Sequence, residues 1–170
     1  LVGGVLSGQS LIRAAELRSI PNDLARYATA AQTFRDKYFA VPGDMSNAQS
    51  FWGIDNVSCP NGGGSSGTCN GDGNGRIGNG ALGNTCENQE FWRQMGLAGL
   101  VEGKYTPRTP ASCFVGFIAG QDSAKLRISN GAAGISYVGP ISSNAAFPGT
   151  ALWIGDYQNV FFVGANGNSV

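Results

Sequence analysis

The chain has 170 residues, with 11 basic and 11 acidic side chains and no histidine, so its formal net charge is zero. The neutral charge argues against a nucleic-acid-binding surface, which needs clustered Lys and Arg. The lack of histidine excludes His-based catalytic triads and His-containing zinc sites. Charged residues are only 13% of the chain, about half the usual share. So little charge fits either a merely polar surface or one that packs against copies of itself.

An apolar stripe predicts a long N-terminal helix from about Leu6 to Phe39, on the order of 50 Å in length. Successive members of the stripe are three or four residues apart: Leu17, Ile20, Leu24, Tyr27, Ala31, Phe34 and Tyr38. Pro21 lies inside the pattern, so we expect a kink there or an irregular turn near Ser19–Ile20. Residues 42–44, Pro-Gly-Asp, should end the helix.

The first six residues are apolar, rich in glycine and uncharged. They are too few to span a membrane and lack the basic start of a signal peptide. They fit the tail of a longer apolar helix that leads into the amphipathic one, or else a frayed terminus. We therefore expect a helical unit over residues 1–40 and a globular head over 41–170.

The head is predicted to hold a long glycine-rich loop at residues 53–86, a helix over Asn88–Val101, and then short strands. Gly-, Asn- and Pro-rich turns separate the strands and predict an antiparallel sheet, with a hairpin connection at Gly155–Gln158. The predicted strands are Ser112–Ala119, Lys125–Ile128, Gly134–Val138, Ala151–Ile154 and Asn159–Val163. This order indicates an α+β fold in which the long helix packs on the sheet.

Four cysteines occur, at Cys59, Cys69, Cys86 and Cys113, and none forms a Cys-x-x-Cys pair. An even count in a loop-rich chain favours disulfides and an oxidising compartment over free thiols in a cytosolic protein. Of the three possible connectivities we favour Cys59–Cys69, closing the glycine loop, with Cys86–Cys113.

Residues 70–77, Asn-Gly-Asp-Gly-Asn-Gly-Arg-Ile, match the first eight positions of a calcium loop. Side-chain oxygens fall at positions one, three and five, and glycine at six makes the sharp turn. Position twelve is Ala81, so the missing carboxylate would come from Glu87 or Glu90. The predicted ligands are Asn70, Asp72, Asn74, the Arg76 carbonyl, Glu87 and Glu90. The alternative is an Asx/Gly turn without a metal; if calcium binds, its affinity should be low and its role structural.

The carboxylates are scattered along the chain, and the serines have neither a histidine nor a clear lysine base nearby in sequence to activate them. The carboxylates considered for glycosidase-type chemistry are Asp44, Asp55, Glu87, Glu90, Glu102, Asp122 and Asp156. We therefore expect a protein that is not an enzyme.

Several segments, in order, resemble type IV pilin-like proteins and type II secretion pseudopilins over about residues 1–53 and 70–105. Residues 1–18 resemble the second half of the N-terminal spine helix of that family. The other segments are Phe34–Asp44, Phe51–Gly53, the Asn-Gly-Asp-Gly-Asn-Gly loop, Glu90–Trp92 and Leu97–Tyr105. The C-terminal third is not diagnostic of the family.

The resemblance implies a pilin-like head and an earlier apolar segment, beginning with a methylated aromatic residue, that holds the subunit in the bacterial inner membrane before assembly. Inner-membrane machinery would then pack the helices, with Leu6 and the stripe, into a cell-surface filament of identical subunits. A disulfide or a calcium loop stabilises the head in related proteins. A pseudopilin is one alternative function. Another is a secreted, calcium-stabilised adhesin or carbohydrate-binding module, with Trp52, Trp92 and Trp153 as stacking platforms.

Overall fold

The structure is a computed structural model that describes residues 2–54, 59, 67–78, 86–107, 117–128, 131–138 and 158–165. In these residues three helices precede three strands, which confirms an α+β fold. The helices are α1 (Val2–Tyr38), α2 (Gln49–Trp52) and α3 (Glu87–Leu97). The strands are β1 (Ala124–Lys125), β2 (Gly131–Val138) and β3 (Gln158–Ala165).

Helix α1 has 37 residues and is therefore about 55 Å long. It begins four residues earlier than expected and continues through Pro21, so the predicted irregular turn near 19–20 is wrong. Arg35 and Lys37 in the last turn carry positive charge, which stabilises the helix by interacting with the negative end of its dipole. The helix ends where Phe39 turns to a φ of 55°, while its N–H still donates to the Arg35 carbonyl at 2.8 Å.

Of the described side chains of α1, only those in its C-terminal half contribute to the core. Tyr27 and Phe34 are buried, and Leu24, Ala31 and Tyr38 pack against the same cluster from its edge. Farther towards the N-terminus, Leu17 is 66% exposed and Ile20 is half-buried. The side chain of Leu6 lies outside the described residues. The apolar stripe therefore meets the core along only part of its length.

Two polar contacts join α1 to the sheet at the point where burial begins. The Asp23 carboxylate, fully buried, accepts from the backbone N–H and the guanidinium of Arg127 at 3.0 and 2.9 Å. One turn later, the Tyr27 hydroxyl donates to the Lys125 carbonyl at 2.9 Å. Since β1 ends at Lys125 and Arg127 lies in the turn after it, these bonds attach α1 to the β1–β2 connection.

The sheet is antiparallel, with the strands in the order β1-β2-β3. Its main ladder pairs β2 with β3 from Gly131 opposite Ala165 to Val138 opposite Gln158. The predicted strands Gly134–Val138 and Asn159–Val163 lie inside β2 and β3, whereas Lys125–Ile128 overlaps β1 only at Lys125.

Two other predicted strands fall largely outside the described residues. Of Ser112–Ala119, residues 117–119 are described, and they contribute only an isolated bridge from Ala119 to Ser123. Ala151–Ile154 and residues 155–157 of the predicted hairpin connection lie outside the described part. Within the described ranges, no helix is both long enough and apolar enough to cross a membrane.

Helix α3 occupies the centre of the head. It starts one residue before the predicted start, Asn88, and ends at Leu97, four residues before the predicted end. Every residue from Glu87 to Met95 is buried. Its apolar side packs against α1 and β2 through Phe91, Trp92 and Met95. Its polar side chains, buried as well, must find hydrogen-bond partners inside the protein.

We predict that Arg127→Ala lowers the free energy of unfolding by roughly 1.5–3 kcal/mol, because it removes charged hydrogen bonds to a carboxylate that stays buried. Urea unfolding followed by circular dichroism measures this. The matched control is Arg18→Ala, at an exposed arginine of α1, which should change stability by less than about 0.5 kcal/mol. Equal effects of the two changes would show that the Asp23–Arg127 pair does not fix α1 to the sheet.

Candidate metal centre

The polar side of α3 holds the glycine-rich loop, residues 67–78, against the core. The Glu90 carboxylate accepts from the Thr68 hydroxyl at 2.6 Å and from the Cys69 N–H at 3.2 Å. Gln94 donates to the Cys69 carbonyl at 3.1 Å and accepts from the Gly43 N–H at 2.7 Å. The buried polar side chains of α3 therefore serve as partners for the backbone of a segment that has no regular structure of its own.

The same loop wraps around Asp44, which follows the end of α1. Its carboxylate accepts from the backbone N–H groups of Gly73, Asn74 and Gly75 at 2.9, 3.1 and 2.8 Å. Gly75 has a φ of 82°, a conformation that side chains disfavour. At Gly71 a Cβ atom would lie 2.4 Å from the Cα of Asp44, so only glycine allows this close approach.

Three carboxylates converge inside this wrapping. Oxygens of Asp44, Asp72 and Glu87 lie within 4.8 Å of one another. Asp44 and Glu87 are buried, and Asp72 is exposed. Glu87 also accepts from the N–H groups of Gly78 and Asp72 at 2.7 and 3.2 Å. The cluster therefore joins the end of α1, the loop and the start of α3.

Burial makes the negative charge of this cluster unfavourable. It raises the pKa of Glu87 to about 7, against the opposing effect of the Gly78 N–H. Burial likewise raises the pKa of Asp44, and the nearby Asp72 carboxylate adds to the effect. A cation among the three carboxylates would offset both the desolvation and the mutual repulsion.

The donor set fits a hard cation such as Ca²⁺, which prefers carboxylate and carbonyl oxygens. Of the six predicted ligands, the structure brings together two carboxylates, Asp72 and Glu87, and adds Asp44, which was not predicted as a ligand. Glu90 is committed instead to Thr68 and Cys69, on the other side of the loop.

The two remaining predicted side-chain ligands, Asn70 and Asn74, make hydrogen bonds within the protein. The Asn70 side chain accepts from the N–H of Gln49, at the start of α2, at 2.9 Å. The Asn74 side chain accepts from the Arg76 N–H at 2.7 Å and donates to Asp72 at 2.6 Å. Binding of a metal by the Arg76 carbonyl stays a prediction. Ile77, the aliphatic residue at position eight of the calcium-loop pattern, is fully buried.

A disulfide fixes the entrance to the loop. Cys59 and Cys69 are bonded, with a Cα–Cα distance of 5.4 Å, which confirms the first predicted pair. Closing about ten residues stabilises the fold by about 2–3 kcal/mol in the chain-entropy model. Cys86 is buried at the start of α3, and no free thiol is found among the described cysteines. The predicted partner of Cys86, Cys113, lies outside the described residues.

We predict that calcium raises the thermal midpoint of the metal-free protein. With a dissociation constant near 10⁻³ M, ~10 mM calcium would add about 1.4 kcal/mol, or roughly 3–6 °C. Asp72→Asn should remove most of this shift. Asp36→Asn changes an exposed aspartate of α1 and should leave the shift intact. Differential scanning fluorimetry in EDTA and in calcium measures it, and equal midpoints for the unaltered protein would rule out calcium at this cluster.

Three comparisons with known proteins returned nothing that matches this chain: no protein-family model, no curated protein and no solved structure. A function therefore has to be inferred from the residues and contacts of the chain itself.

Proposed function

We propose that the chain is a subunit of an extracellular, type IV pilin-like filament built from copies of itself. In this proposal α1 is the assembly helix, and the residues after it form the outward-facing head. Inner-membrane machinery would assemble the filament from subunits held in the membrane through an apolar segment ahead of α1. The protein would act mechanically and would not be an enzyme.

One observation carries the proposal: α1 is far longer than the head requires. Of the described side chains, none from residue 8 to residue 18 is buried, and Leu11, Ile12 and Leu17 are exposed large apolar groups. An isolated helix as short as residues 8–18 is marginal in water, because most helical stability in proteins comes from packing. A second surface that covers this segment, hereafter the arm (residues 8–18), would supply that packing.

The charge distribution of the head supports close packing of copies. In the described ranges after residue 116, the only charged side chains are Asp122, Lys125 and Arg127. Asp122 is buried and accepts from the Ile118 N–H at 2.7 Å, and Arg127 is paired with Asp23. Little charge is left there to repel a neighbouring subunit.

The head also has features that would stabilise it outside the cell. The Cys59–Cys69 disulfide fits an oxidising compartment. The proposal includes a structural calcium ion at Asp44, Asp72 and Glu87, where it would join three segments of the head.

A pseudopilin of a secretion system remains a second candidate, since it would use the same helix and head. The adhesin or carbohydrate-binding alternative is weaker, because two of its three stacking tryptophans pack against the core. Trp92 is fully buried and contacts Tyr27 edge-to-face, with ring centroids 5.0 Å apart. Trp52 is partly buried against Phe34 and Tyr38. Trp153 lies outside the described residues.

Negative-stain microscopy of the producing bacterium, with antibodies raised against the head, tests the proposal. We expect labelled surface filaments that disappear when the gene is deleted and return when it is restored. Long surface filaments at native expression favour the pilus over the pseudopilin. Released monomers that bind a glycan, with no filaments, would contradict the proposal.

A further inference from the structure

Phe39, the residue after α1, combines two unfavourable features. Its backbone has a φ of 55°, and it is the only non-glycine residue with a positive φ in the described part of the chain. This is the position after a helix where glycine is usual, because an L side chain is strained there. Its side chain is also 94% exposed, more than any other large apolar residue described.

Phe39 is an exposed apolar side chain at the end of α1, and it is called the knob below. Phe51, 55% exposed, contacts Tyr38 edge-to-face with ring centroids 5.4 Å apart. Ile54 also exposes its side chain. Phe39 therefore follows directly after a tyrosine that contacts an exposed aromatic side chain of α2.

The arm offers a matching hole on the surface of the same helix. Residues at positions i, i+3, i+4 and i+7 of a helix surround a hole that accepts one side chain of a facing element. Leu11, Ala14, Ala15 and Arg18 have this spacing, and all four are exposed. The two alanines leave room at the centre, Leu11 supplies an apolar wall, and the Arg18 guanidinium can stack on an aromatic ring.

The knob and the hole cannot meet within one chain. They lie on the same helix, and about 25 residues at 1.5 Å each separate them by roughly 37 Å along its axis. Since every copy has one knob and one hole, a copy can place its knob on one neighbour and offer its hole to another. Two different surfaces that pair head-to-tail in this way generate an open chain of subunits when the rotation between copies does not close a ring.

We propose that Phe39 of one copy packs into the hole formed by Leu11, Ala14, Ala15 and Arg18 of the next copy. This contact offsets neighbouring subunits by roughly 37 Å along α1. The inference rests on the proposed function, because it names the residues through which copies of the filament subunit meet.

Phe39→Gly is the first test, because it changes folding and association in opposite directions. Glycine relieves the backbone strain, so the thermal midpoint of the monomer should rise by roughly 2–4 °C. Loss of the knob should weaken self-association at least about tenfold in sedimentation equilibrium at millimolar concentration. Thr33→Ala, which shortens an exposed side chain of α1 outside both the arm and the apolar stripe, should leave association unchanged. A lower midpoint for Phe39→Gly, or unchanged association, would overturn the inference.

The second test changes the hole. Ala15→Glu fills it with a charged side chain and should also give monomers, whereas Ala28→Glu, at an exposed alanine of α1 outside the arm, should associate normally. Each monomeric variant retains the surface that the other lacks, so a mixture of Phe39→Gly and Ala15→Glu should form 1:1 dimers and nothing larger. A mixture that stays monomeric contradicts head-to-tail pairing, as does an unaltered chain that stays monomeric.

Filament assembly in the producing bacterium separates this inference from the proposed function. If the unaltered gene gives filaments and Phe39→Gly gives them equally well, the inference fails and the proposed function stands. If the unaltered gene gives none, the proposed function fails.

Discussion

The edge-to-face contact between Tyr27 of α1 and Trp92 of α3 is the interaction on which the rest of the structure depends. Trp92 is fully buried, and its ring also contacts Phe91, Tyr105 and Phe161, so it connects both helices to the sheet. The hydroxyl of Tyr27 reaches the Lys125 carbonyl. Burial of the ring gives α1 its attachment, and the hydrogen bond sets its position along the sheet.

Placing α3 at the centre of the head has a consequence for its polar side chains. Helix α3 carries two glutamates in its first turn, where negative charge is favourable, but both are buried. They are satisfied by the backbone of the glycine-rich loop, with Glu90 at its start and Glu87 at its end. The loop therefore belongs to the core, although it has no regular secondary structure. Asp44 closes the arrangement from the end of α1 and brings the three carboxylates together.

The sequence predicts most of the helical part of this fold, because periodicity reports which face of a helix is apolar. It does not report where that face stops being covered, which is why Leu17 belongs to the stripe but not to the core. Nor could the sequence decide whether Glu87 or Glu90 completes the metal cluster, because both lie near the loop in sequence. In the structure Glu90 contacts the start of the loop and Glu87 contacts its end. Asp44 could not be predicted as a neighbour of Asp72, since the loop returns to it only through its contacts with α3. The Cys59–Cys69 pair was favoured among three possible connectivities because it closes the glycine-rich loop, and the structure has this bond.

The central claim is that α1 has two parts, one fixed to the head and one reserved for a neighbouring copy. Amide hydrogen exchange, read by mass spectrometry on the isolated chain and on assembled filaments, tests it most directly. The account predicts slow exchange over residues 23–38 in both states, and exchange over residues 8–18 that is fast in the isolated chain and slow in the filament. Equal protection along all of α1 in the isolated chain, or an arm that gains no protection on assembly, would contradict it.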